Sequence, residues 1–227
     1  MVHNRKLREG SMNPSTGYTG SATPADAQGP FNPMQALVAQ MLSGVNTATL
    51  VQIVACTNSG GLSPVGFVDV QPLVNQVDGA RNAVPHGELF SLPYLRIQGG
   101  SNAIIMDPQP GDIGIAVFAS RDLSAVIAAK GQNVPGSARK FDMADGLYLG
   151  GVLNGAPTQY VQFAVGGITV TSPSAVTINA PQVTLNGAVQ VNGAVTVTGD
   201  VTAAGKSLQT HVHSGVQSGG SNTGGPV

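Results

Sequence analysis

The sequence predicts an all-β chain: a small antiparallel barrel, then a strand-and-turn segment that several chains must wind together to bury, with one short helix ahead of both. Three observations predict it. Strand-length apolar runs alternate with turn residues through the first half, Val and Ile recur in alternating pairs through the last third, and only 9% of the 227 residues are charged, against about 25% in an ordinary globular domain. The shortage is uneven: after Asp145 the charged side chains are Asp200 and Lys206, while Val and Ile stay plentiful. Disorder would lose both charge balance and hydrophobicity, so the persistent β-branched residues argue for ordered strands.

Residues 1–30 are rich in Gly, Ser, Thr and Pro without periodicity and read as an arm. A helix follows, with Asn32 as cap, Pro33 in its first turn, Met34, Leu37, Val38, Met41 and Leu42 on one face, and Gly44 as its stop. Arm and helix together make a first segment, 1–45. From 46 to 120 the runs "TLVQIVACT", "VGFVDVQPLV", "NAIIMD" and "DIGIAVFAS" are separated by Gly, Pro, Asn and Asp. No helix-length segment interrupts them, so βαβ units are excluded and a five-stranded barrel of the OB type fits. Residues 121–160 read as a connection, irregular where Phe141 and Met143 give it something to bury.

The segment 161–207 changes character. Ile168, Val170, Val176, Ile178, Val183, Leu185, Val189, Val191, Val195, Val197 and Val201 alternate in short pieces broken by "SPS", "NAP", "NG" and "TG". One such chain cannot bury its own apolar row. The rungs are too short for the roughly 20-residue coils of a wide single-chain solenoid, so the row predicts chains wound about a common axis, most simply three. Residues 208–227 form the last segment, carrying "THVHSG" and a glycine-rich run.

Composition also excludes partners. A net charge of −1 offers no basic face for nucleic acid or an anionic membrane, and the single Cys56 allows no internal disulfide and reads as a small buried side chain. The first residues lack the apolar core of a signal peptide, and no run approaches a membrane span; synthesis in a cytoplasm without secretion by that route is expected.

Catalytic patterns fail in turn. "GDVTAAGKS" (199–207) ends like a phosphate-binding loop, but its first glycine would have to stand where Asp200 does. Ser214 beside His213 lacks a nucleophile elbow. Asp107, Asp112 and Asp122 could be read as an acid cluster, although "PQPGD" is better explained as a turn, and Glu9 and Glu88 give a paired-carboxylate site little to draw on. His3 and His86 have no spaced partners. No enzyme and no small-molecule substrate are expected.

His211 and His213 remain. Residues i and i+2 of a strand point to one side, so three chains meeting on an axis would converge six imidazoles. Six nitrogen ligands suit Fe²⁺, Ni²⁺ or Co²⁺ better than structural Zn²⁺; on a single chain the same pair reads as an exposed polar strand end.

The run "GFVDVQPLVNQVDGARNAVPHGELFSLPYLRIQGGSNAIIMDPQPGDIGIAVFASRD", then "DGLYLGG", the Val-rich segment, and "THVHSG" with "TGGP" resemble the central baseplate spike proteins of contractile-tailed bacteriophages, in the short form without a lysozyme domain. The resemblance covers residue 46 onward. It implies a homotrimer with an OB-fold collar, an intertwined triple-stranded β-helix, and a tip where His211 and His213 of each chain bind one iron ion octahedrally, with room for further ions nearby. It also implies virion location at the tail tip, tail-tube or baseplate hub proteins as partners, and mechanical piercing of the host outer membrane. Related spikes serve prophage-derived and type VI secretion machines. The alternative is a trimeric tail fibre or adhesin with a receptor-binding tip, for which residues 161–227 provide a single aromatic, Phe163.

Overall fold

The helix expected after the arm forms as α1, Asn32–Ser43, in a computed structural model that describes residues 32–215 and 219–220. The arm before it and most of the glycine-rich run after Gly215 lie outside the described residues. Met34, Leu37, Val38, Met41 and Leu42 stay exposed, so the apolar face is real but uncovered among the described residues. Two units divide between Pro157 and Thr158.

In the first unit β1 (Ala48–Cys56) is followed by β2 (Phe67–Pro72), by a small hairpin of β3 (Gln76–Val77) and β4 (Ala83–Val84), and by β5 (Leu89–Pro93). A second hairpin joins β6 (Ile97–Gly99) to β7 (Asn102–Ile104), and β8 (Ile113–Phe118) leads through the short helix α2 (Ser124–Ala129) to β9 (Gly146–Gly151). Five of these make one antiparallel sheet in the order β5-β2-β1-β8-β9. Its two outer strands approach in parallel through a Tyr94–Tyr148 bridge, where Leu95 N–H donates to the Tyr148 carbonyl at 2.8 Å. That order and that parallel closure are OB-like.

Period two explains the core. Val68, Val70 and Pro72 of β2, and Gly114, Ala116 and Phe118 of β8, face inward while their neighbours do not. With Val51, Ile53, Leu92, Tyr94 and Tyr148 they enclose the barrel, and each large aliphatic buried there contributes about 1.5–3 kcal/mol. A register shift between Ile53 and Ala55 marks a bulge that lets β1 bend between its two partners. Gly114 is required where it stands, because a Cβ would meet the Gly150 carbonyl and the Tyr148 ring.

Three sequence expectations change here. The barrel was expected to end at 120, yet its fifth strand is β9, from within the presumed connection 121–160. "NAIIMD" is no barrel strand; it pairs with β6 in an outlying hairpin whose Ile97 and Ile104 are exposed. Cys56 is only partly buried, against the edge of the core. Met143 does pack on that core as expected.

The second unit opens with a hairpin of β10 (Tyr160–Ala164) and β11 (Gly167–Thr171), and later forms β12 (Thr202–Ala203) and β13 (Lys206–Ser207). Between Thr171 and Thr202 no strand pairing occurs among the described residues. There the sequence settles into a six-residue repeat, VTLNGA, VQVNGA, VTVTGD (183–200). Its Val and Leu side chains are 49–67% exposed. Apolar residues at this spacing with backbone groups unpaired in the chain require partners from other copies, since buried N–H and C=O groups are almost always bonded.

Candidate metal centre

The His pair follows a hydrogen-bonded hairpin and turn of the second unit. β12 and β13 are joined by Ala204 (φ 49°) and Gly205 (φ 77°), the two left-handed central residues of a type I′ hairpin turn. Leu208 N–H donates to the Val201 carbonyl at 2.8 Å, Gln209 N–H to Asp200 Oδ1 at 3.0 Å, and Thr210 N–H to Ser207 Oγ at 2.9 Å. His211 N–H then donates to the Ser207 carbonyl at 3.1 Å. Residues 199–207 are thus a hairpin and open no helix, which removes the phosphate-loop reading on structural grounds.

His211 and His213 are exposed and lie side by side, ring centroids 5.0 Å apart and planes at 79°. The segment they occupy is a coil after a turn, not the strand assumed from spacing, yet the rings still share one side. His211 Nδ1 sits 3.1 Å from the Ser207 carbonyl and 3.0 Å from that of Leu208. Carbonyl oxygens only accept, so in the neutral ring this geometry favours the proton on Nδ1 and leaves Nε2 as the nitrogen with the lone pair a metal needs. Among the described residues no three His, Cys, Asp or Glu side chains converge in one chain. One chain therefore supplies two imidazoles, and further ligands would come from other copies. The donor set fits a six-nitrogen transition-metal site and gives a lone chain little hold on one.

The acidic residues considered earlier do not gather. Asp107 is sealed in the first unit by Tyr94 Oη and Arg96 Nη2, both donating to Oδ1 at 2.6 Å, and by Gly60 N–H donating to Oδ2 at 2.8 Å. Burial opposes its charge, but the bonds from Tyr94, Arg96 and Gly60 together with the Arg96 charge outweigh it and hold the carboxyl below its ordinary range. Asp112 accepts from Gln109 N–H at 2.9 Å, the turn expected of "PQPGD". Asp122 accepts from Ser124 N–H at 2.8 Å and Ser137 Oγ at 2.6 Å, with Arg139 at 3.2 Å. The bonds from Ser124 and Ser137 bring its carboxyl down to about 2. Arg139 also clasps Asp145 at 3.0 Å. These are staples holding loops to the barrel. His86, half-buried, offers its backbone carbonyl to Gln71 Nε2, Glu88 is exposed, and His3 and Glu9 lie outside the described residues. Sequence reasoning missed both Arg–Asp staples and the bond from Gln209 to Asp200, since each joins residues whose pairing follows from tertiary structure.

Residues 132–203 match the Gp138 beta-helical trimerization domain, and residues 207–227 match the GpV Apex motif. A comparison with curated proteins gives no match. The trimerization domain supports a homotrimer, and the apex motif begins at the hairpin residue whose carbonyl holds His211. Found in this order along one chain, the two are consistent with a baseplate spike protein of phage tails.

Proposed function

We propose that three copies of this chain form the piercing point of a contractile tail, driven through the host outer membrane when the sheath contracts, with His211 and His213 of all three holding one metal ion, iron by preference, at the apex. A structural role in the phage tail is what both matched families have in common. The observation that carries the finer reading is the exposed six-residue Val repeat leading into a paired, tautomer-set imidazole site. Chains sharing a core cannot peel away singly, so the second unit resists load as one body. A bound metal would cross-link chain segments that otherwise fray independently. His211 contributes Nε2 as ligand, and the Ser207 and Leu208 carbonyls fix its ring. Attachment to tail-tube or hub proteins is assigned to the first unit, where α1 leaves its apolar face uncovered.

Elemental analysis of the purified protein beside a His211→Ala, His213→Ala variant tests the metal. One ion per three chains in the parent and none in the variant is expected. Equal content in both would remove the apex site from the account.

A further inference from the structure

We infer that Asp200 is a positioning residue for the histidine pair, acting through the Ser207–Thr210 turn to fix which nitrogen His211 presents. Its geometry stands alone; its consequence for metal retention rests on the apex reading above. Asp200 and Lys206 are the charged residues after Asp145, in a segment whose exterior is otherwise Thr, Asn, Gln and Ser. A lone carboxylate among neutral neighbours calls for a reason. Its Oδ1 accepts Gln209 N–H across nine residues at 3.0 Å. That bond extends the hairpin one step beyond the Leu208 N–H to Val201 carbonyl bond.

Two residues in the turn then aim carbonyls at one atom. Ser207 and Leu208 place their oxygens 3.1 and 3.0 Å from His211 Nδ1, and both lie between the two Asp200-anchored ends of the loop. Without the carboxylate, Gln209 N–H loses its acceptor, the turn can open, and Nδ1 loses the partners that keep its proton there. The Ser207 hydroxyl and the backbone N–H groups of Gln209, Val201 and Leu208 hold the Asp200 carboxyl below the ordinary carboxylate range, as expected of a charge kept for accepting bonds. Asp200 lies in the segment matching the trimerization domain and the turn in the segment matching the apex motif. One side chain thus joins the end of the first to the start of the second.

The test uses the full chain labelled with ¹⁵N-histidine, in parent, Asp200→Ala, Asp200→Asn and, as a control in the same hairpin, Lys206→Ala forms. Ring ¹⁵N shifts of metal-free protein read the His211 tautomer. Iron retained per trimer under a chelator reads the site. Asp200→Ala is expected to mix the two tautomers and to lose iron roughly tenfold faster, the low end of what outer-shell changes cost. Asp200→Asn keeps an acceptor oxygen and is expected to restore the parent tautomer, and Lys206→Ala to change neither. If Asp200→Ala does not assemble, Asp200→Leu is read in its place, being close to the carboxylate in size and offering no acceptor oxygen. Parent-like tautomer and retention in the variant without an acceptor would overturn the inference. A tautomer shift in Asp200→Ala beside a parent protein that binds no metal would leave the positioning role standing and remove the apex metal instead.

Discussion

The two units solve the burial of Val and Ile in opposite ways. In the first, Val51, Ile53, Val68 and Val70 alternate along strands that curl onto one another, and their side chains are fully or almost fully buried by their own chain. In the second, Val189, Val191, Val195 and Val197 alternate just as regularly and remain about half exposed. Alternation therefore says that a strand has an inner face. It does not say who supplies the other wall. In the first unit six- and nine-residue strands pair antiparallel into one curled sheet, whereas the repeat turns every six residues and its pieces find no strand partner among the described residues.

If the contrast is right, one charge should break the second unit far more than the first. Val191→Asp would set three carboxylates facing one another in a shared apolar core, a burial cost of several kcal/mol with no partner to offset it. Native mass measurement should show loss of the trimer, while tyrosine near-ultraviolet signals from the barrel persist. The first unit should fail differently. Asp107→Ala leaves the Arg96 guanidinium, almost fully buried, without its counter-charge; breaking such a pair costs about 3–5 kcal/mol. Denaturant unfolding of the barrel should shift by that order with the trimer mass unchanged.

The smallest expected effect separates the units by pH. Asp122 titrates near 2 in the folded chain against an ordinary 3.8, so its contribution is complete above about pH 4 and lost as pH falls toward 2. Acid should therefore loosen the 137–139 loop from the start of α2, and Asp122→Asn should flatten the pH dependence of first-unit unfolding between pH 4 and 2. The repeat at 183–200, with Asp200 as its one carboxylate, should respond less over that window.

Much of this was legible from residue order. The helix over Asn32–Ser43, the strands around Val51, Val70 and Ala116, and the repeat's need for other chains all follow from local periodicity. The fifth barrel strand was not, because "GLYLGG" carries three glycines in six residues and reads as loop until the close approach at Gly114 explains a flat, small-residue neighbour. The His pair was legible as a motif from its spacing, although the rings meet on a coil and not on the strand that spacing assumed. Its tautomer was not: that depends on carbonyls of Ser207 and Leu208 turned by a hairpin, and on Asp200, whose partner lies nine residues away.

The central claim is that residues 172–201 form part of a core made by three chains. Hydrogen exchange of the 227-residue chain tests it most directly, because these amides have no strand partner among the described residues. Protection across 172–201 comparable to that of β1 and β8 is the predicted result. Exchange there at the rate of an unstructured chain, while the barrel stays protected, would contradict it.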